Sequence, residues 1–465
     1  MRRTTLLLAL TLALMLTGCA SEQIVRPAAP PMPVWSGPSA EATAGWAPLL
    51  DPTLSALQTK ALQANTDIRR AALAWQQAQT QARLQGLRLQ PNASLSYSAN
   101  RPLQSQGSSI VIDGVSVPVG NSAEWSHNYS ASIGVGFEAD LWGRLSQLDM
   151  QQLALSEAAR SDIQAARILI ASQVAENYWT LAANRQLEVI ARRKLELSEQ
   201  LVPLVRLRVK EGKLVPLEIN KASTIVMAAR QQLAQSKAAA DTAQLNLAQL
   251  MDQPSTATDR VDAQLPNQNG GPLPAWLPDE PAQVLERRPD VQRARLEVDA
   301  ALANARATRA ARYPTLSFSG GLSTGGQHLS DWLKQPLLSL AGNLVIPMID
   351  WRRLELQGTQ AQTQLDSAAL NLRSTVYKAL TEVQTQVVQA QSLQAQAEAT
   401  TQRLAEDVET ERLAKLKFEV GTIARSDELN ARIARLDAEQ SVLQLRLNEL
   451  LTRLALLRAL AVPLS

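Results

Sequence analysis

Two hydrophobic periodicities divide the chain. Between residues 144 and 211, and again between 352 and 420, apolar positions recur every three or four residues, and Pro203 is the only proline in either stretch. In the second stretch Ala369, Leu372, Val376, Leu380, Val383, Val387 and Ala390 form the seam of a coiled coil, while Gln, Arg, Glu and Ser fill the other faces. The spacing predicts two near-continuous helices of about 68 residues, roughly 100 Å each at 1.5 Å per residue. Their polar outer faces exclude lipid, so both are expected to stand in water.

Elsewhere the period is two. Ala93, Leu95, Tyr97 and Ala99 alternate with Ser94, Ser96, Ser98 and Asn100. Tyr129, Ala131, Ile133, Val135 and Phe137 alternate with Ser130, Ser132, Gly134 and Gly136. Leu316, Phe318 and Leu322 alternate with Ser317, Ser319 and Gly321, and Leu338, Leu340, Leu344 and Ile346 alternate with Ser339, Ala341 and Asn343. Each segment is about nine or ten residues, the length a tilted strand needs to cross a bilayer, with one apolar and one small polar face. A half-buried soluble strand alternates in the same way, so it is the set of four that carries weight. The connections 101–128 and 323–336, rich in Gly, Ser and Asn, are expected to be exposed hairpin loops.

The pattern occurs twice. Trp142-Gly143-Arg144-Leu145 returns as Trp351-Arg352-Arg353-Leu354 after 209 residues, and Gly212 returns as Gly421 at the same shift. Shorter helices open at Asn65-Thr66-Asp67-Ile68 and at Arg288-Pro289-Asp290-Val291, and end before Pro91 and Pro314. Each half therefore reads helix, strand, strand, long helix, shorter helix. Four strands cannot close a barrel, and open edges in hydrocarbon cost several kcal/mol per unpaired backbone group. Two copies would give eight strands around a filled interior and three would give twelve around water; the inward Ser and Gly favour three.

The N-terminus sets the compartment. Arg2 and Arg3 precede an apolar run from Leu6 to Leu16, too short to span a bilayer but right for a secretory signal. The run ends Leu16-Thr17-Gly18-Cys19, which looks like a bacterial lipobox, and Cys19 is the one cysteine among 465 residues. A lone exported cysteine makes no internal disulfide, so S-diacylglycerol and N-palmitoyl modification of Cys19 is its expected use. Six prolines between 27 and 48 make that segment an extended tether. The resulting layout is signal peptide 1–18, lipidated cysteine and tether 19–48, first repeat 49–252, linker 253–280 and second repeat 281–461. Aromatic residues are 4% of the chain, which argues against a compact core of large rings, and 46 basic against 43 acidic residues leave no nucleic-acid footprint. Two histidines, His127 and His328, lie in or beside the expected loops, with no cluster at metal-ligand or catalytic spacing; no enzyme activity and no cofactor are expected.

These features together resemble the TolC-like outer-membrane efflux factors, in their lipoprotein branch, over roughly residues 50–461. The stretch Leu285-Glu286-Arg287-Arg288-Pro289-Asp290 and the glycines at the helix turns contribute to the likeness. The resemblance implies a mainly α protein with a transmembrane β-barrel portion: a homotrimer whose twelve-stranded barrel sits on a long periplasmic helical tunnel. It implies the passive exit duct of a tripartite pump, with a periplasmic membrane-fusion adaptor and an inner-membrane RND-type transporter as partners. Ala20, rather than Asp, after the lipidated residue implies sorting to the outer membrane. Val420-Gly421-Thr422 matches the family's adaptor-contacting tip, with Gly212 as its repeat mate, although Glu211-Gly212-Lys213 departs from that motif. Asp427, six residues past Gly421, matches an acid that rings the periplasmic constriction, and Glu218 is its counterpart in the first half. A second acidic ring is not preserved, since Asn430 and Lys221 stand there, and Ile423 replaces a bridging Arg for which Arg425 is a candidate substitute. The other readings are the outer-membrane duct of a type I protein secretion system and a structural coiled-coil lipoprotein.

Cys19→Ser is expected to abolish acylation while the strands still hold a reduced amount of protein in the membrane. Metabolic labelling with palmitate reads this directly, and label persisting in the variant would refute the assignment.

Overall fold

The computed structural model describes residues 24–28, 51–101, 108–112, 114–119, 125–254, 261–266, 281–328, 330 and 334–462. Cys19, the signal peptide and most of the tether lie outside these. The described residues form two compact units, one drawn from 1–27, 78–155 and 298–368, the other from 28–77, 156–297 and 369–465.

In chain order the elements are α1 (Pro52–Ala64), α2 (Thr66–Gln85), β1 (Leu89–Asn100), β2 (Ser108–Ile112), β3 (Val115–Val119), β4 (Ser126–Ala139), α3 (Arg144–Lys210) and α4 (Leu217–Leu250). The second half follows with α5 (Pro281–Arg287), α6 (Pro289–Ala310), β5 (Thr315–Gly326), β6 (Leu337–Val345), a 3-10 turn, α7 (Trp351–Glu419) and α8 (Arg425–Ala459). The two long helices are 67 and 69 residues. Three expectations need correction. A short helix, α1 or α5, precedes each half's first expected helix. The connection 101–128 is not simply a loop, because β2 and β3 pair in it as a hairpin and Ser126–Asn128 already belong to β4. Three of the strands also run longer than nine or ten residues, at 12, 14 and 12 for β1, β4 and β5, because backbone pairing continues past the alternating segments, through 89–92 in β1, 126–128 and 138–139 in β4, and 323–326 in β5.

In the helical unit, helix ends are held by buried polar groups. The Oδ1 of Asp51 accepts the Leu54 N–H at 2.6 Å and starts α1 ahead of Pro52, whose fixed φ suits a first helical residue. Its Oδ2 accepts the hydroxyl of buried Tyr178 at 2.6 Å. Burial and then that carboxylate push the phenol up to about 12. Since a phenol is neutral below its pKa, this contact contributes at all ordinary pH values and is lost only as pH rises through about 12.

The start of α2 and the start of α6 use different chemistry for one task. Asn65 Oδ1 accepts the N–H groups of Asp67 and Ile68, while its Nδ2 donates to the carbonyl of Leu250, the last residue of α4, at 3.0 Å. In the second half Arg288 Nη1 donates to the carbonyl of Ala459, the last residue of α8, at 2.7 Å. Leu250 and Ala459 are again 209 apart. Arg288 also donates to Asp290 at 3.0 and 2.8 Å and to Glu382 on α7 at 2.9 Å, so a nearly buried guanidinium ties three helices together. Those carboxylates hold its pKa up against burial, which acts in the opposite direction.

Apolar packing follows the seam read from the sequence. Val376, Leu380, Val383 and Ala390 are buried, and Ala369, Leu372 and Val387 half-buried. The largest cluster surrounds Tyr178, Trp179, Leu181, Leu54, Leu247 and Leu454. Each such side chain contributes about 1.5–3 kcal/mol. Segment 261–266 joins this core through Ala263 and Leu265, and is pinned by Arg185 to the Val261 carbonyl and by Arg446 to the Pro266 carbonyl. Helix α3 continues through Pro203, a residue that costs about 3 kcal/mol inside a helix. Leu201 and Val205, on either side of it, are buried against Ala222, Leu429 and Ile433 and offset that cost.

Arg288→Met should destabilise the protein by about 2–3 kcal/mol, because Asp290 and Glu382 lose their cation and the Ala459 carbonyl its donor. Asn65→Ala should cost about 1 kcal/mol, the usual value of a helix N-cap. Urea unfolding of the detergent-solubilised protein followed by circular dichroism measures both, and equal losses would show that the arginine's charge is immaterial.

Candidate functional site

Two places present the residues singled out from the sequence. The first is the sheet, with strand order β1-β4-β5-β6 and every neighbour antiparallel. The central pair β4–β5 joins one half of the repeat to the other. The register sorts most side chains, because residues paired across strands share a face. Ala93, Ile133, Leu322 and Leu338 form one row across all four strands, and Pro91, Val135, Gly320 and Leu340 form another on the same face. The opposite face carries Ser94, Ser132, Ser323 and, as an apolar exception on the last strand, Leu337 in one row, and Asn92, Gly134, Gly321 and Ser339 in another. Hydroxyls pair across it, Ser94 with Ser132 at 2.8 Å and Ser96 with Ser130 at 2.7 Å.

The apolar face is not covered by the chain itself. Ile133 is 61% exposed, Leu95 73% and Leu340 82%. A contiguous apolar surface of this kind, costing about 25 cal/mol per Å² in water, belongs in lipid or against a partner. Aromatic residues bracket it: Tyr97, Tyr129 and His127 cluster at the loop end, with the Tyr97 hydroxyl 2.8 Å from His127 Nδ1. Trp142 stacks on Tyr313 at the helix end, ring centroids 4.9 Å apart. Such girdles mark the edges of a membrane band.

The second place is the pair of helix reversals. Gly212 has φ +73° and Gly421 φ +76°, the left-handed region a residue without Cβ enters freely. Lys213 N–H bonds to the Arg208 carbonyl and Gly212 N–H to the Val209 carbonyl, at 2.9 and 3.0 Å. Thr422 and Gly421 repeat those bonds to Lys417 and Phe418 at 2.9 and 3.0 Å, which makes both turns Schellman motifs shifted by 209 residues. Val420, Gly421, Thr422 and Gly212 are all exposed, and Val420 is accompanied on the other tip by exposed Val215 and Leu217.

Both candidate constriction acids sit in first helical turns, where the helix dipole favours a carboxylate. Glu218 lies at the start of α4 and pairs with Lys221 at 2.7 Å. Asp427 accepts the Ala424 N–H at 3.3 Å, the Ser426 hydroxyl at 3.2 Å and Arg208 Nη1 at 3.2 Å, so it caps α8 and ties that helix to α3. Its side chain is still 48% exposed. Arg425 does not bridge to Asp427. It pairs with Glu428 at 2.9 Å and lies over the Phe418 ring. Glu428 is fully buried between Arg425 and Arg432, with Arg432 reaching Glu411 on α7 at 3.6 Å. Neither Arg208 nor this buried acid was singled out from the sequence. Arg208 is 219 residues from Asp427, and Glu428 looks like any acid in a polar first turn.

A profile of the outer membrane efflux protein family matches residues 57–253 and 281–462, one stretch in each half. The chain belongs to this family. Among relatives of this outer membrane efflux protein, the pyoverdine export outer membrane protein OpmQ of Pseudomonas aeruginosa is 27% identical over 417 residues, covering 89% of this chain and 86% of that one. The cation efflux system protein CusC of Escherichia coli is 27% identical over 475 aligned positions, 98% of each chain. The open state of the MtrE outer membrane channel of Neisseria gonorrhoeae shares the fold, with a TM-score of 0.77 at 22% identity over 94% of this chain and 97% of that one. Outer membrane efflux proteins are channels of the outer membrane, a setting in which the uncovered apolar face of the sheet would meet lipid. Among the described residues no helix is long and apolar enough to cross a membrane.

Arg placed at Ile133 or Leu340 should cost about 2–4 kcal/mol of insertion energy near the midplane, and much less at Ser132 or Ser339. The yield of folded, membrane-integrated protein measures the difference, and equal losses on both faces would refute the assignment of faces.

Proposed function

We propose that three copies of this outer membrane efflux protein close a twelve-stranded barrel and act as the passive exit duct of a tripartite pump for small molecules. The observation that carries this reading is the sheet: four strands, one apolar and one hydroxyl-lined face, and free edges at β1 and β6. An open edge in hydrocarbon is untenable, and pairing β6 of one copy with β1 of the next removes both edges at once. Three copies leave a lumen lined by the Ser, Asn and Gly rows. Cys19, acylated, adds a second hold on the membrane. The exposed tip Val420-Gly421-Thr422, with Gly212 beside Val215 and Leu217 on the other tip, is the contact for a periplasmic adaptor, and an inner-membrane RND-type transporter supplies the energy. The relatives' names, pyoverdine export and cation efflux, favour small cargo over secreted proteins.

In this reading Asp427 and Glu218 ring the periplasmic constriction. Their charges are partly offset within each copy by Arg208 and Lys221. Residual repulsion between copies is about 1 kcal/mol per pair at 4 Å in water-like dielectric, enough to leave the closed state only modestly favoured. An adaptor then needs to supply only a few kcal/mol of differential binding to open it.

Single-channel recording in planar bilayers tests the reading. Asp427→Asn, which keeps an acceptor for the α8 cap, should weaken divalent-cation block by about fivefold, the equivalent of about 1 kcal/mol. Glu218→Gln should do less, and Arg208→Gln should strengthen block. Unchanged block in all three would mean that these acids only cap helices, and failure to form any conducting oligomer would overturn the duct itself.

A further inference from the structure

At the ends of the strands that meet the helices, carboxylates and arginines are matched one to one. Arg88 pairs with Asp149, Arg144 with Glu138 at 2.6 Å, Arg352 with Glu355 at 2.7 Å, and Arg353 with Asp350. The fifth acid there, Asp140, accepts the Leu145 and Ser146 N–H groups at 2.9 and 2.8 Å and starts α3. Three arginines remain after this matching. Arg83 in the last turn of α2, Arg309 in the last turn of α6 and Arg312 two residues beyond α6 have no ion pair or side-chain hydrogen bond among the described residues. The stretch 306–312 contains three arginines and no acid, and Arg306 is engaged with the Ile24 carbonyl at 3.4 Å.

Arg312 is also given a seat. Its Nη2 lies where a Cβ on Gly358 would be only 2.4 Å away, so the absent side chain in α7 is what admits the guanidinium against the helix. On the same chain junction Trp142 stacks on Tyr313 and donates from Nε1 to the Pro314 carbonyl at 2.8 Å. Nearby, a polar cavity of about 330 Å³ is lined by Arg144, Asn304, Thr308, Gln357, Gln360 and Gln364. The apolar rows of the sheet end with Leu316 and Leu344 beside Ala139, so these groups begin where hydrocarbon gives way to headgroups.

We infer that Arg309 and Arg312, with Arg83 on the corresponding helix of the first half, bind the phosphate of anionic phospholipid headgroups in the membrane leaflet that meets the helices. A guanidinium with no carboxylate of its own offers a two-pronged donor to a phosphate oxygen pair, and the stacked Trp142 and Tyr313 fix the same depth through their amphipathic rings. The amide-lined cavity beside them suits the glycerol or other polar end of the headgroup. The inference rests on the lipid-facing reading of the sheet, and its failure is distinguishable, because that reading stands or falls on Ile133→Arg against Ser132→Arg.

Native mass spectrometry of the full-length oligomer in neutral detergent tests it, with phosphatidylglycerol, phosphatidylcholine or inorganic phosphate added at equal concentration. The wild type should retain phosphatidylglycerol at least threefold over phosphatidylcholine. Arg309→Gln with Arg312→Gln should bring retention down to the phosphatidylcholine level, and Arg83→Gln should remove part of it. Arg309→Lys with Arg312→Lys should keep most of the preference. Should the Gln pair not assemble, Arg312→Gln alone is compared with Arg312→Lys on the same readout. Equal preference in the Gln and Lys variants would overturn the inference. So would inorganic phosphate displacing the lipid at equal concentration, or dissociation of the oligomer with the preference intact, which would place these arginines against a second copy.

Discussion

A peptide group left unpaired in hydrocarbon costs several kcal/mol, and everything else in this chain is arranged around that penalty. Each half of the duplication supplies only two long strands to the sheet, and no pair of strands is stable alone. The β4–β5 ladder joins the halves into four, with eleven registered residue pairs from Tyr129 to Ala139 against Leu316 to Gly326. What remains unpaired is one edge of β1 and one edge of β6, and these are complementary in direction around a closed ring. Duplication and the proposed oligomerisation would then be two stages of one process, in which edges are progressively eliminated until none faces lipid.

The helical unit solves a milder version of the same problem. Its backbone is satisfied internally, and only the helix ends are exposed to loss. Those ends are met by Asn65 in one half and Arg288 in the other, each reaching the terminal carbonyl of the last helix of its own half. The geometry of the task has been kept while the chemistry has changed. The arginine version reaches further and also gathers Asp290 and Glu382, so the second half is bound together by charge where the first relies on neutral hydrogen bonds and the Tyr178–Asp51 contact.

Much of this was legible in the residues because it is periodic. The seam from Ala369 to Ala390, the alternation in all four strands, and the paired glycines at 212 and 421 are repeats, and repetition survives without knowledge of what packs where. Alternation also assigned faces correctly: Ile133 and Leu340 share one, Ser132 and Ser339 the other. The hairpin within 101–128 was missed because five-residue strands such as Ser108–Ile112 are too short for a period to register. Contacts between distant single residues were not legible at all. Nothing local distinguishes Arg208 from its neighbours or marks Glu428 as a buried acid, since both depend on which face of α3, α7 and α8 turns inward. Asp427 is placed by residue order only relative to a glycine; the cap it makes at Ala424 depends on where α8 begins.

The two helix reversals have a consequence beyond the fold. Both turns close on the same main-chain bonds, from Lys213 N–H to the Arg208 carbonyl and from Thr422 N–H to the Lys417 carbonyl, with a glycine in the left-handed region; only the second adds a side chain, the Thr422 hydroxyl, which donates to that same Lys417 carbonyl at 2.9 Å. The shared main-chain geometry leaves the flanking side chains room to diverge, to Glu211 and Lys213, paired with each other at 2.9 Å, on one tip and to Val420 and Thr422 on the other. In the proposed ring of copies the charged and uncharged tips would alternate. A protein approaching such a rim would be told which of two positions it occupies, so the crown would carry a rotational index that an unmodified duplication would have lacked.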